Sequence, residues 1–240
     1  MNLIQLQLRT IATALTLVLL VATTLPLPAS AQLGSVKPGI NDRFVDEDMD
    51  VGEWTERFEG ESRQIYARRQ EIVDALGIDD RERIADVGAG TGFFSELLAK
   101  KVGPNGLVWA LEISPKFMEH MKERFTKAGL DNIEVSESTD KSTGLAEGSI
   151  DLAFICDVYH HFEYPQEMLR SLRYALRPRG ELVIVEFERI PGETADWVLE
   201  HVRAGKEVFR AEIERAGFTL IKEVEIEGLD DNYILHFRRK

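Results

Sequence analysis

From residue 83 onward, short runs that are apolar at nearly every position alternate with stretches whose apolar residues recur every three or four. The first kind reads as strands buried on both faces, the second as amphipathic helices. Strands are predicted at "RIADVGA", "LVWALEI", "IEVSES", "IDLAFICDV", "ELVIVEFE", "FTLIKEVEIEG" and "DNYILHFRR". Helices are predicted at "FFSELLAKKV", "SPKFMEHMKERFTKAG", "YPQEMLRSLRYALRPRG" and "KEVFRAEIERAG". The second has Ser114 as N-cap and Pro115 at its first position. The third is expected to end at Pro178 and Gly180, the fourth at Gly217. Upstream, "EWTERFEGESRQIYARRQEIVDALGI" reads as helical, with Ile65, Arg69, Ile72, Val73 and Leu76 on one stripe and Gly77 as the stop.

Alternation of this kind means a parallel sheet with helices on both faces. The last two strands are joined directly and must be antiparallel. The expected fold is α/β: a doubly wound, seven-stranded, mostly parallel sheet with one antiparallel strand near the edge.

The first 31 residues have a different character. Arg9 is their one charge, an apolar run follows, and Ala29-Ser30-Ala31 supplies small residues where a signal peptidase reads them. The order is that of a secretory signal peptide over 1–31. The expectation is a periplasmic or secreted protein, free of the membrane after cleavage, with an uncleaved membrane anchor as the alternative. Residues 32–52 carry many acids and little periodicity, and are expected to be a poorly ordered arm. Residues 53–240 form the domain.

Composition narrows the function. With 44% hydrophobic and 30% charged residues, the chain has the make-up of a globular domain with a proper core. The formal net charge of −13 argues against a broad basic face for nucleic acid. The single cysteine, Cys156, lies in an apolar run and has no internal partner. No set of histidines and cysteines has the spacing of a metal centre, so no metal is expected.

The candidate chemistry begins at "DVGAGTGFF", residues 86–94. Gly88, Gly90 and Gly92 follow the first predicted strand, where an open α/β sheet binds its ligand. Glycines there let backbone approach a ligand closely. The next strand ends in Glu112, placed to accept hydrogen bonds from ribose hydroxyls. Both features suit a nucleoside. The glycine spacing is not that of the dinucleotide fingerprint. Asp86 would repel a pyrophosphate but suits a cationic amino group.

These residues, with "GLVWALEISPKFME", "DVYHHFEYPQEMLRSLRYALRPRGELVIVEF" and "ERAGF", resemble the class I S-adenosylmethionine-dependent methyltransferases over roughly residues 60–240. The resemblance implies S-adenosylmethionine as cofactor. Asp86, Gly88, Ala89, Gly90 and Gly92 would hold its methionine part, Glu112 its ribose, and Ile113 would lie beside the adenine. Thr139 and Asp140 stand where the family often meets the adenine amino group, though the commoner Gly-Asp-Ala pattern is absent. Asp157 stands where a residue faces cofactor or substrate.

His160 and His161 are the candidate catalytic pair, because histidine can take a proton near neutral pH. Trp197, His201 and Arg203 are candidates to line a substrate lid between the fifth strand and the last helix, and Tyr66, a further candidate substrate contact, and Arg69 are candidates to close over the cofactor. The acceptor is expected to be a small molecule such as a phenol, a quinone-like ring or a carbon acid. Two alternatives stand beside a methyltransferase: a non-catalytic module that holds a nucleoside or other ligand, and, less favoured, an NAD-dependent oxidoreductase.

Overall fold

The computed structural model describes residues 34–240. The signal-peptide reading of residues 1–31 lies outside the described residues. No helix among the described residues is long and apolar enough to cross a membrane.

Seven strands form one sheet: β1 (Arg83–Val87), β2 (Leu107–Glu112), β3 (Ile133–Glu137), β4 (Ile150–Cys156), β5 (Leu176–Phe187), β6 (Phe218–Val224) and β7 (Asn232–Arg239). Their order is β3-β2-β1-β4-β5-β7-β6. The first five are parallel, and β7 runs antiparallel to both β5 and β6. The sequence expectation of one reversed strand near the edge is met.

Helices cover both faces. α4 (Arg69–Ala75) and α5 (Phe93–Val102) bury Ile72, Val73 and Leu98 with Ile84 and Phe154 in one core. α7 (Pro165–Ala175) and α9 (Lys206–Arg215) bury Leu169, Leu172, Phe209 and Ile213 in the other. This two-sided cover explains why β4 has no polar face: six of its seven residues are buried. α6 (Pro115–Ala128) starts as its sequence dictates, with the Ser114 side chain accepting from the Phe117 N–H and Pro115 at the first turn.

Three local readings are corrected. The helical stretch from Glu53 is broken into α2 (Val51–Phe58), α3 (Gln64–Ala67) and α4. Gly60 lies in the gap, and the Arg63 guanidinium donates back to the Phe58 carbonyl, closing the turn. α7 ends at Ala175, before Pro178, because the chain joins β5 at Leu176 and Arg179 takes a left-handed conformation at φ 67°. The arm is ordered from Gly34. It carries α1 (Asp42–Val45), and Ile40 and Met49 are buried. Its acids face outward while a few apolar residues anchor it, a pattern too sparse to register as periodicity. α8 (Asp196–His201) completes the set.

Candidate active site

The carboxyl ends of β1, β2 and β4 meet beneath the arm, around a cavity of about 620 Å³. The glycine loop forms one end. Gly88 and Gly90 line it with φ of 73° and 55°. A Cβ on Gly88 would come within 2.5 Å of Val158, so the loop lies as close to the β4 end as backbone permits. Gly92 does not line the cavity. A Cβ there would meet Phe125 and Met121 at 2.7 and 2.8 Å, so this glycine serves the packing of α5 against α6. It was expected to touch the cofactor; its constraint is steric instead.

Glu112 is 5% exposed. Its Oε2 accepts the Gly90 N–H at 2.8 Å, and its Oε1 accepts the N–H groups of Ile113 and Ser114 at 2.8 and 3.0 Å. An ionised carboxylate has about four acceptor positions. Three are used to fix it, which leaves capacity toward the cavity it lines together with Ile113. Burial raises its pKa, against the pull of those N–H donors.

Asp86, on β1 in register with Ala110 of β2, is pushed up to about 7 by burial, opposed by the Ser95 hydroxyl that donates to its Oδ2 at 2.6 Å and reinforced by Glu112. A buried acid held by the Ser95 hydroxyl and N–H, with no countercharge among the described residues, is poised for a cation. Thr139 and Asp140 also line the cavity.

Asp157 holds a left-handed φ of 53°, unusual for a side-chain-bearing residue. Its Oδ2 accepts from Arg63 at 2.6 Å and its Oδ1 from the Asn232 amide at 2.7 Å. Burial raises it to about 6, with Arg63 pulling the other way. These two partners fix the carboxylate at the β4 end, where it lines the cavity with acceptor capacity left over.

The opposite end is built from histidine and aromatic rings. A 3-10 turn over Tyr159–His161 carries His160 and His161, and α8 brings Trp197 and His201. Both Glu186 carboxylate oxygens lie 2.8 Å from His160 Nδ1. The Asn41 amide donates to the His161 carbonyl at 3.0 Å, which directs its Oδ1 to His161 Nδ1 at 3.1 Å. His161 Nε2 and His201 Nε2 are 3.2 Å apart. Burial and the neighbouring rings lower His161 to about 2; burial, then His160 and Lys37, lower His201 to about 4. Phe44, Trp54 and Phe58 roof the cavity from the arm and α2, with Phe44 and Trp54 centroids 4.8 Å apart.

Two expected contacts fall elsewhere. Tyr66 is absent from the cavity wall; its ring packs on Phe93 at 5.5 Å and under the Arg69 guanidinium at 4.1 Å. Arg203 pairs with Glu212 at 2.6 Å and stacks on Phe209. Other participants were missed. Glu186 had a signal, an acid inside the apolar run "ELVIVEF", the same feature that singled out Glu112. Asn41, Arg63 and Asn232 had none, since ordinary polar residues in loops or at strand ends carry no pattern.

Residues 78–237 match the family described as a methyltransferase domain, more than half of the chain. The chain belongs to this family of S-adenosylmethionine-dependent methyltransferases. Among curated relatives, this methyltransferase is 30% identical over 172 residues to lovastatin diketide synthase of Aspergillus terreus, covering 66% of the chain and 7% of that protein. It is 25% identical over 126 residues to a demethylmenaquinone methyltransferase of Listeria monocytogenes, covering 52% of the chain and 53% of the relative. The chain thus spans about half of the latter's length and a small part of the former's. A methyltransferase structure from Aquifex aeolicus superposes with a TM-score of 0.70 at 21% identity, over 79% of this chain and 98% of that one, and shows the same fold.

The residues present fit the cofactor. The Gly88 cradle admits no side chain, and Asp86 is a buried acid without a cation. Glu112 is fixed by backbone donors with acceptor capacity toward the cavity.

Proposed function

We propose that the protein methylates a small molecule carrying an acidic oxygen, such as a phenol or enol. One observation carries this reading: the nucleoside cradle and the ring-lined end share a single cavity, roofed by Phe44, Trp54 and Phe58. A space of that size and enclosure suits a cofactor with a compact acceptor rather than a protein or nucleic-acid strand.

S-adenosylmethionine, when bound, supplies an electrophilic methyl group on a sulfonium. Asp86 would pair with its ammonium group, Glu112 would accept from its ribose, and Ile113 would cover its adenine. The protein's remaining task is alignment and exclusion of water. The aromatic roof excludes water. With its Nδ1–H directed to Glu186, His160 offers an Nε2 lone pair to accept a hydrogen bond from the acceptor hydroxyl, while His161 Nε2 faces His201 Nε2 at 3.2 Å. Lys37, Arg43 and Arg57 also line the cavity, alongside the acids Asp140, Glu200 and Asp231.

The name of the demethylmenaquinone methyltransferase relative supports a ring-type acceptor. The leader supports export, with the chain from Gln32 acting outside the cytoplasm. The test is calorimetry with S-adenosylhomocysteine, followed by mass-spectrometric detection of methyl transfer to a panel of phenols, quinols and β-dicarbonyls. Micromolar binding and a methylated product are expected. Binding without transfer to any class would favour the ligand-binding module, and absence of binding would exclude both.

A further inference from the structure

The histidine end of the cavity has a feature that hydrogen-bonded alignment of an acceptor does not require. Three imidazoles converge there from segments 40 residues apart in sequence. One nitrogen of each of His160, His161 and His201 lies within 4.8 Å of the other two. Ring centroids are 4.3, 5.0 and 5.0 Å apart. The sequence shows no metal-like spacing because α8 delivers the third ring only through the fold.

The protonation pattern is also specific. Glu186 accepts a hydrogen bond from the Nδ1–H of His160, and Asn41 Oδ1, oriented by its own amide bond to the His161 carbonyl, accepts one from the Nδ1–H of His161. Both Nε2 atoms are therefore acceptors, that of His161 already facing the Nε2 of His201. A carboxylate or carbonyl behind Nδ1 is the arrangement that orients metal-ligating histidines. His161 Nε2 and His201 Nε2, at 3.2 Å, are near the roughly 3.3 Å between two nitrogens on a tetrahedral zinc with about 2.05 Å bonds. With the three donor atoms within 4.8 Å of one another, binding an ion draws the rings together by up to about 1.5 Å.

We propose that His160, His161 and His201 bind a divalent transition metal ion of the zinc type, with Glu186 and Asn41 as the groups that orient two of the ligands. Imidazole donors suit zinc and its neighbours, and three protein ligands leave the fourth tetrahedral position open. Lys37 and Arg43 lie close enough to oppose a bare cation, and Glu186 offsets them. An anionic oxygen in the fourth position would balance the charge further. This deepens, and rests on, the reading of an acceptor with an acidic oxygen: the ion would hold that oxygen as phenolate or enolate.

The test uses the chain from Gln32, stripped with a chelator and titrated with Zn²⁺ against a chromophoric competitor, and separately with Co²⁺. One ion per chain is expected, with the intense visible absorption of tetrahedral cobalt. His201→Ala should weaken Zn²⁺ binding at least tenfold, and Asn41→Ala, which removes only the acceptor behind His161, about tenfold. S-adenosylhomocysteine affinity is the control for folding and should be unchanged in both. Sub-stoichiometric zinc, octahedral cobalt, or equal zinc affinity in wild type and both variants would overturn the proposal. If His201→Ala loses the nucleoside as well, Asn41→Ala decides. Zinc binding without nucleoside binding would overturn the methyltransferase reading and leave the metal site standing; nucleoside binding without zinc would do the reverse.

Discussion

Glu112 Oε2 accepts the backbone N–H of Gly90 at 2.8 Å, tying the end of β2 to the middle of the glycine loop across 22 residues. The same carboxylate holds the Ile113 and Ser114 N–H groups. It therefore shapes the cradle and would also receive the ribose. Glu112→Ala should lower S-adenosylhomocysteine affinity by about 100-fold, since hydrogen bonds to a charged group contribute about 1.5–3 kcal/mol each. Glu112→Gln keeps one acceptor oxygen and should lose less. Calorimetry on the two variants checks the order; equal affinity in wild type and Glu112→Ala would remove Glu112 from the nucleoside site.

Two glycines with similar dihedral angles should respond differently to alanine. Gly88 has φ 73° and a Cβ there would lie 2.5 Å from Val158; Gly129 has φ 65° and nothing within 4 Å. The left-handed conformation costs both about 1–2 kcal/mol. The collision adds about 1–3 kcal/mol at Gly88 and shifts the loop. Urea unfolding should show Gly88→Ala less stable than Gly129→Ala, and Gly88→Ala alone should lose nucleoside binding.

Most of the sheet was legible in the sequence because strands buried on both faces write continuous apolar runs, and β4 is the clearest case. The cradle was legible because glycine and a misplaced acid are local signals. The histidine cluster was half legible: His160 and His161 are adjacent, but His201 reaches them only through α8. The arm was not legible, since Asn41 and Phe44 act at long range from a segment without periodicity. Tyr66 and Gly92 show the converse. A ring or a glycine near a site is chosen as often by packing, and only the positions of Phe93 and Phe125 decide which.

Asp86 should make cofactor binding depend on pH. Its folded value is raised to about 7, first by burial and further by Glu112, while Ser95 opposes the rise. An ammonium ligand pairs with the ionised form. Affinity should be level above about pH 7.5 and fall below about pH 7, by up to tenfold per unit. Because the folded value exceeds the unfolded one, the free protein loses stability from this group as pH rises from about 4 to about 7. Asp86→Asn should abolish both slopes. Calorimetry at several pH values, in two buffers of different ionisation heat, counts the proton released; a flat affinity between about pH 5.5 and 8 would refute the pairing.

Asp157 is 7% exposed on its side chain and Arg63 25%, with 2.6 Å between Nη2 and Oδ2. The guanidinium offsets a carboxylate that burial pushes up to about 6. Arg63→Met leaves Asp157 buried with only the Asn232 amide, so its pKa should rise further. Removing one partner of a buried pair costs about 3–5 kcal/mol, and Arg63's partial exposure places this case at or below the lower figure. The loss should be largest above about pH 7, where Asp157 must ionise alone, and shrink toward about pH 5, where the carboxyl is neutral in the variant. Chemical denaturation at both pH values checks the difference. A pH-independent loss would mean that Arg63 stabilises through its packing on Phe58, whose ring lies 5.3 Å from the guanidinium carbon, rather than through the charge of Asp157.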